Sequence, residues 1–363
     1  MGGSTQKGGA RRLPRPPWHA LGAAVALWGV VAAGCAPEPH AAQALRVERT
    51  LGEAGVFPGQ FAYPRAIAAD GRSLWVVDKS ARIQQIDPAT GRAGVWWRMP
   101  EFELGKPTGL TVATAPAAGG GSVPALYVAD THYHRVMVYA LPQERPSQPH
   151  EIEPTLLSRL GGFGEAPGQF IYPTDVAVLT SADGAAVERI YVSEYGGNDR
   201  ISVFDAAGSF LFEFGELGEG IDPGALEFSR PQSMVIDRAR RELLVTDACN
   251  HRIGRFTLEG ELLGWIGSPD APADAPVQLR FPYGLELLAD STLLVTEFGS
   301  ARAQRIDPVR AVSLGAFGAA GRGEGEMATP WAAAVLRRET FLLDSGNNRI
   351  LVARLPGVEG GQG

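Results

Sequence analysis

Residues 329–355 read TPWAAAVLRRETFLLDSGNNRILVARL, and the order of residue types in this stretch recurs upstream. Residues 63–87, YPRAIAADGRSLWVVDKSARIQQID, and residues 172–205, YPTDVAVLTSADGAAVERIYVSEYGGNDRISVFD, follow the same succession: a proline, an apolar run, a second apolar run ending in an acid, a short turn and an arginine. A repeat of this kind outranks local propensity, because it means that one supersecondary unit is used several times. The unit occurs six times: Pro64, Asp78, Arg82; Pro107, Asp130, Arg135; Pro173, Glu194, Arg200; Pro231, Asp247, Arg252; Pro282, Glu297, Arg302; and Pro330, Asp344, Arg349.

From acid to arginine the spacing is 4, 5, 6, 5, 5 and 5, whereas proline to acid varies from 14 to 23. The acid and arginine therefore flank a fixed turn, and the variable part holds a loop that accepts insertions, such as ATAPAAGGGSVP at 113–124 and TSADGAAVE at 180–188. Successive arginines lie 53, 65, 52, 50 and 47 residues apart, room for four short strands with their turns. AIAAD, LTVAT and SMVID read as a first strand; LWVVD, LYVAD and LLVTE as a second; RIQQID, RISVFD and RILVAR as a third; FLFEFG and LLGWIG as a fourth. Two of the four are apolar almost throughout, which requires cover on both faces. Blades stacked around an axis provide that cover. The expected fold is all-β, a six-bladed β-propeller, in keeping with 46 glycines and 27 prolines spread along 363 residues.

YVADTHYHRV (127–136), LVTDACNHRI (244–253) and FLLDSGNNRI (341–350), with the linkers PGQFAYP (58–64) and PGQFIYP (167–173), resemble the NHL repeat. The resemblance extends over nearly all of residues 45–355 and implies a propeller of this type. NHL propellers include an amidating lyase with histidine metal ligands from several blades, and six-bladed lactonases hold a divalent cation in the channel. The resemblance thus leaves a propeller enzyme as the alternative to a binding module.

Each element of the repeat has an architectural role. A proline lacks an N–H and suits the innermost strand, whose free edge lines the channel. The acid accepts N–H groups of its turn, and the arginine forks onto that carboxylate or onto nearby carbonyls. Six equivalent pairs do not make one asymmetric catalytic site, so no catalytic residue is assigned. His132, His134 and His251 lie in acid-to-arginine turns and are the only histidines considered as Zn or Ca ligands. His134 and His251 fill a slot that the repeat itself reserves for histidine or asparagine. A lactonase-like site would need inner-strand carboxylates such as Asp175 and Glu286 on the axis, whereas their expected duty is in loops or caps.

What changes between copies is the residue after the proline: Arg65, Thr108, Thr174, Gln232, Tyr283 and Trp331. With four antiparallel strands per blade, these six share a face with the turns that carry Tyr133, Tyr195 and Phe298. The nine form the expected binding face for a protein, peptide or glycan, the alternative being aromatic side chains that merely cover the blade ends.

The ends differ from the repeats. Lys7, Arg11, Arg12 and Arg15 precede the uncharged run ALGAAVALWGVVAAG (20–34) and then Cys35, which resembles a bacterial lipobox and implies acylation of the Cys35 thiol and a cut in front of it that removes residues 1–34. Residues 35–44 then read as a tether, 45–355 as the propeller and 356–363 as a tail. The expected location is the cell envelope, outside the cytoplasm, with membrane contact through lipid alone. The net charge of −7 becomes −11 without the signal, and an acidic monomeric domain of this kind is no partner for nucleic acid. Cys249 is left without a disulfide partner. The C-terminal copy lacks a fourth strand, and ALRVERTLG (44–52) has strand character without a blade. Residues 45–51 are therefore expected to pair with 349–355 and close the ring.

Overall fold

A computed structural model describes residues 42–222, 224–268 and 277–358; the signal 1–34, Cys35 with the first part of the tether, and the last five residues lie outside them. The described chain is built of six blades, each with four antiparallel strands, and the first blade carries a fifth. Blade one runs Pro64–Ala69, Leu74–Asp78, Arg82–Ile86 and Ala93–Arg98 from the channel outward. Blades three, four and five repeat this order, beginning at Tyr172, Pro231 and Pro282. Among the described residues no helix is long and apolar enough to cross a membrane.

Burial follows position in the blade. The second and third strands of blade one are buried at every residue, while the outer strand Phe210–Phe214 of blade three alternates between half-buried and exposed along FLFE. An inner strand is covered by the neighbouring blades on both sides, whereas an outer strand turns one face to water. The apolar core is accordingly divided into six clusters, each at an interface between adjacent blades. Trp75 of blade one meets Trp97 at 5.9 Å, and Trp97 meets Tyr139 of blade two at 5.7 Å. Each such side chain contributes about 2–3 kcal/mol by burial, and no blade can collect that contribution without its neighbour.

The last blade is assembled from both ends of the chain. Val47–Leu51 pairs antiparallel with Arg349–Ala353 in the register Val47↔Ala353, Thr50↔Leu351 and Leu51↔Ile350. Leu51 and Phe61 then pack with Phe341, Ile350 and Trp331 in one cluster. The two insertions lengthen hairpins: Gly109–Pro116 pairs with Ser122–Asp130 out to Pro116↔Ser122, and Tyr172–Thr180 pairs with Val187–Tyr195 out to Thr180↔Val187.

One segment does more than the sequence reading gave it. Residues 141–154, LPQERPSQPHEIEP, return to blade one and add His150–Glu151 as a fifth strand, parallel to Ala93–Arg98 through Val95↔His150 and Trp96↔Glu151. Arg145 beside it pairs with Asp70 and hydrogen-bonds the Ser73 hydroxyl, so the strap joins two blades at their rim. Covering an edge strand in this way satisfies groups that would otherwise be free to pair with another chain.

Candidate functional site at the channel mouth

All six acid–arginine pairs are ion pairs, at 2.8 Å for Asp78–Arg82, Asp130–Arg135, Glu194–Arg200, Asp247–Arg252 and Asp344–Arg349 and 2.7 Å for Glu297–Arg302. The acids also accept backbone N–H groups at the entry to their own blade, as Glu194 does from Ile171 at 2.7 Å and Asp247 from Ser229 at 2.6 Å. The rest of each guanidinium reaches linker carbonyls: Arg252 donates to Gly220 and Glu227, Arg349 to Gly323 and Glu326. Burial raises the carboxyl of Asp130 to about 6, Asp247 to about 6 and Glu194 to about 7, with the arginines opposing it. Each pair fixes a turn and a linker to one another, a structural use of buried charge.

The slot before the arginine ties one blade to the next. Asn348 accepts from the N–H of Tyr63 at 2.7 Å, His251 Nδ1 from that of Phe281 at 3.1 Å and Asp199 from that of Arg230 at 2.6 Å, each donor standing directly before a proline. His134 Nδ1 hydrogen-bonds the Ile171 carbonyl at the same boundary. His134, His251 and Asn348 all have φ near +55°, a left-handed conformation that asparagine and histidine adopt more readily than most residues. His132 packs on Tyr172, and its pKa is lowered by burial and then by Lys106 and Arg65. Among the described residues no three His, Cys, Asp or Glu side chains gather as metal ligands would, so this donor set does not fit a zinc centre.

The axis is an open cavity of about 350 Å³ lined by inner-strand residues of all six blades. Asp175 and Glu286 both line it, and each serves the next blade: Asp175 accepts from Met234 N–H at 2.8 Å and Ser233 Oγ at 3.1 Å, and Glu286 accepts from Val335 N–H at 3.2 Å. No cation pairs with either among the described residues, and burial pushes both carboxyls up to about 7.

At the mouth the structure divides the nine sequence-predicted residues. Arg65, Tyr283, Phe298 and Trp331 converge: Tyr283 stacks on Phe298 at 4.6 Å, Trp331 stands edge-on to Tyr283 at 5.0 Å, and the Arg65 guanidinium lies 4.9 Å from the Trp331 ring centre. Thr108 and Thr174 are fully engaged between blades, Thr108 Oγ1 donating to the Thr174 carbonyl at 3.0 Å and Thr174 Oγ1 to that of Pro231 at 2.6 Å. Gln232 is buried and accepts from Arg230 Nε at 3.0 Å. Tyr133 faces the linker to blade two, where its hydroxyl meets Glu103 and the N–H of Leu104, and Tyr195 lies beneath Arg230 at 4.7 Å.

Trp331, 6% exposed, and Tyr283, 7%, pack into the cluster that joins the first and last blades. The sequence reading missed Tyr63 and Arg230, which stand before their prolines rather than after them. Tyr63 meets Trp331 at 5.9 Å, and the Arg230 guanidinium lies 5.3 Å from the Tyr283 ring. The signal was present in the YP and RP dipeptides, since a residue before proline varies between copies as freely as the one after it.

The model of the NHL repeat matches residues 228–256, which cover most of the fourth blade from Phe228 to Phe256. Among curated proteins, the chain is similar to peptidylglycine alpha-amidating monooxygenase of Rattus norvegicus, 36% identical over 119 residues, which is 32% of this chain and 12% of that protein. Among solved structures, a structural genomics protein of unknown function from Bacteroides thetaiotaomicron aligns at a TM-score of 0.54 with 15% identity, over 84% of this chain and 72% of that one. The Cps50 (Swd1) β-propeller domain of Myceliophteria thermophila aligns at 0.52 with 11% identity, over 86% and 99%. These structural likenesses concern the fold alone. The chain is a six-bladed β-propeller that carries an NHL repeat in its fourth blade.

Proposed function

We propose that this chain is a binding module for a protein, peptide or glycan, exported and held outside the cytoplasm in the cell envelope by a lipid on Cys35. The observation that supports it is the convergence of Arg65, Tyr63, Tyr283, Phe298 and Trp331 at one end of the channel. Aromatic rings and arginine concentrate binding energy because they supply large contact area and charge with little entropy loss. The test uses the full-length protein captured with its neighbours from an envelope extract. A partner retained by the wild type and lost with Arg65→Ala supports the reading; identical capture by both refutes it. The anchor has its own test: a fatty-acid probe is expected to label wild-type cells and not Cys35→Ser cells, and equal labelling ends that part.

A second reading, a propeller enzyme with a divalent metal in the channel, is favoured by the similarity to the rat amidating monooxygenase, of whose length the chain spans 12%. Stoichiometric Zn or Ca in the purified protein, retained after dialysis, would move the assignment to that reading.

A further inference from the structure

Two half-buried arginines at the mouth, Arg65 and Arg230, differ from the arginines of the repeat. In every blade the repeat arginine is neutralised by its carboxylate within 2.8 Å. Arg65 and Arg230 make no ion pair among the described residues and rest on aromatic rings instead, Arg65 on Trp331 and Tyr63, Arg230 on Tyr195 and Tyr283. Arg65 lies on the Trp331 ring at 4.9 Å, Trp331 meets Tyr283 at 5.0 Å and Arg230 lies on Tyr283 at 5.3 Å, so one run of rings links the two cations, and burial lowers the pKa of Arg65. Asp199, bonded to the backbone N–H of Arg230 and not to its guanidinium, also accepts from the N–H groups of Gly196 and Gly197.

Unused donors lie beside these charges. Arg65 Nε is buried without an acceptor, and so is the indole N–H of Trp331, a side chain 94% buried that lines the channel. A buried donor left unsatisfied costs about 1–3 kcal/mol, and a desolvated cation costs more, so such an arrangement persists where something else completes it. The sign matters as well: the chain carries a net charge of −7, yet Arg65 lines the channel and the Arg230 guanidinium lies 5.3 Å from the ring of Tyr283, which lines it too. A local excess of one charge at a concave site draws ligands of the opposite charge.

We infer that the mouth takes an oxyanion of the ligand, a carboxylate or a phosphoryl group, between Arg65 and Arg230 with the Trp331 indole N–H as third donor. The inference rests on the binding-module reading for its purpose and adds the chemistry of the group that is recognised. Planar guanidinium forks match such oxygens in pairs, and the aromatic rings hold both forks in place before binding. Gln232, which accepts from Arg230 Nε, fixes one of the two forks.

The full-length protein is titrated by calorimetry with benzoate, with inorganic phosphate, and with benzamide as the uncharged counterpart of benzoate. Saturable binding of benzoate or phosphate, absent for benzamide and weakened at least tenfold by Arg65→Met and by Arg230→Met, is the expected result. Benzoate bound better than phosphate identifies a carboxylate ligand, and the reverse order identifies a phosphoryl one. Arg65→Lys and Arg230→Lys keep the charge and are expected to retain part of the affinity, which covers the case in which a methionine variant does not fold. No saturable binding of either anion, equal binding of benzoate and benzamide, or wild-type affinity in folded Arg65→Met overturns the inference. If anion binding fails while Arg65→Ala still abolishes partner capture, the binding-module reading stands alone. If anions bind while capture is unchanged, that reading falls and the anion site remains.

Discussion

Arg49 and Glu339, 290 residues apart in the chain, meet in a two-bond ion pair, Nη1 to Oε1 at 2.7 Å and Nη2 to Oε2 at 2.9 Å. The same Nη2 donates to the Pro88 carbonyl at 2.8 Å, so one guanidinium joins the closing strand, the last blade and the first. Both side chains remain about a quarter exposed, at 28% and 26%, which limits the pair to about 0.5–1 kcal/mol. Arg49→Ala is therefore expected to lower Tm by only a few degrees. Deleting residues 36–51 removes the whole strand and uncovers the cluster around Leu51, and is expected to lower Tm by roughly 10 °C or more. Thermal unfolding of the two variants checks this, and equal small losses would show that the ring does not depend on its closure.

Arg252 and Asp247 are buried, with side-chain exposure of 2% and 0%. Arg252→Met leaves a carboxylate without its cation and is expected to cost about 3–5 kcal/mol. Adding Asp247→Asn to that variant removes the orphaned charge and is expected to restore part of the loss. Urea unfolding reads both; a double variant less stable than the single one by a further full increment would argue against coupling within the pair.

Glu286 sets a pH dependence whose sign is defined. Its folded carboxyl titrates near 7 against an ordinary 4.5, so its contribution to stability is complete below about pH 4.5 and is lost as pH rises through 7. Asp175, also near 7, adds the same sign. Wild-type Tm is expected to fall between pH 5 and pH 8, and Glu286→Gln, which keeps an acceptor for Val335 N–H, is expected to make that fall shallower. An unchanged slope in the variant would rule out Glu286 as its source.

Trp331 separates packing from recognition. Trp331→Ala empties space in the cluster shared by the first and last blades and is expected to cost about 3–5 kcal/mol of stability. Trp331→Phe keeps most of the packing and deletes the indole N–H. It is expected to cost less than half as much stability while weakening anion binding severalfold, as thermal melts and calorimetry on one preparation would show.

Much of the architecture was legible from residues alone. Acid-to-arginine spacing, the pre-arginine slot and the linker pattern are local: each requirement is met within one turn or one linker, so each leaves its mark at a constant offset. Ring closure was legible as well, because an unpaired third strand at one end and an orphan strand at the other leave a single economical pairing. His150–Glu151 was not legible, since a two-residue parallel strand has no periodicity to detect.

The mouth was legible only in part, for a physical reason. The sequence by itself determined the number of blades, their order and the face on which the variable positions stand, because these follow from backbone hydrogen bonding and strand alternation. Tertiary structure decided which variable side chains meet. Thr108 and Thr174 reach the next blade, Trp331 and Tyr283 become core, and Arg230 crosses onto Tyr195 and Tyr283. Those outcomes depend on distances between strands of different blades, which are set by how six interfaces pack around the axis, and no spacing along the chain encodes a distance across it.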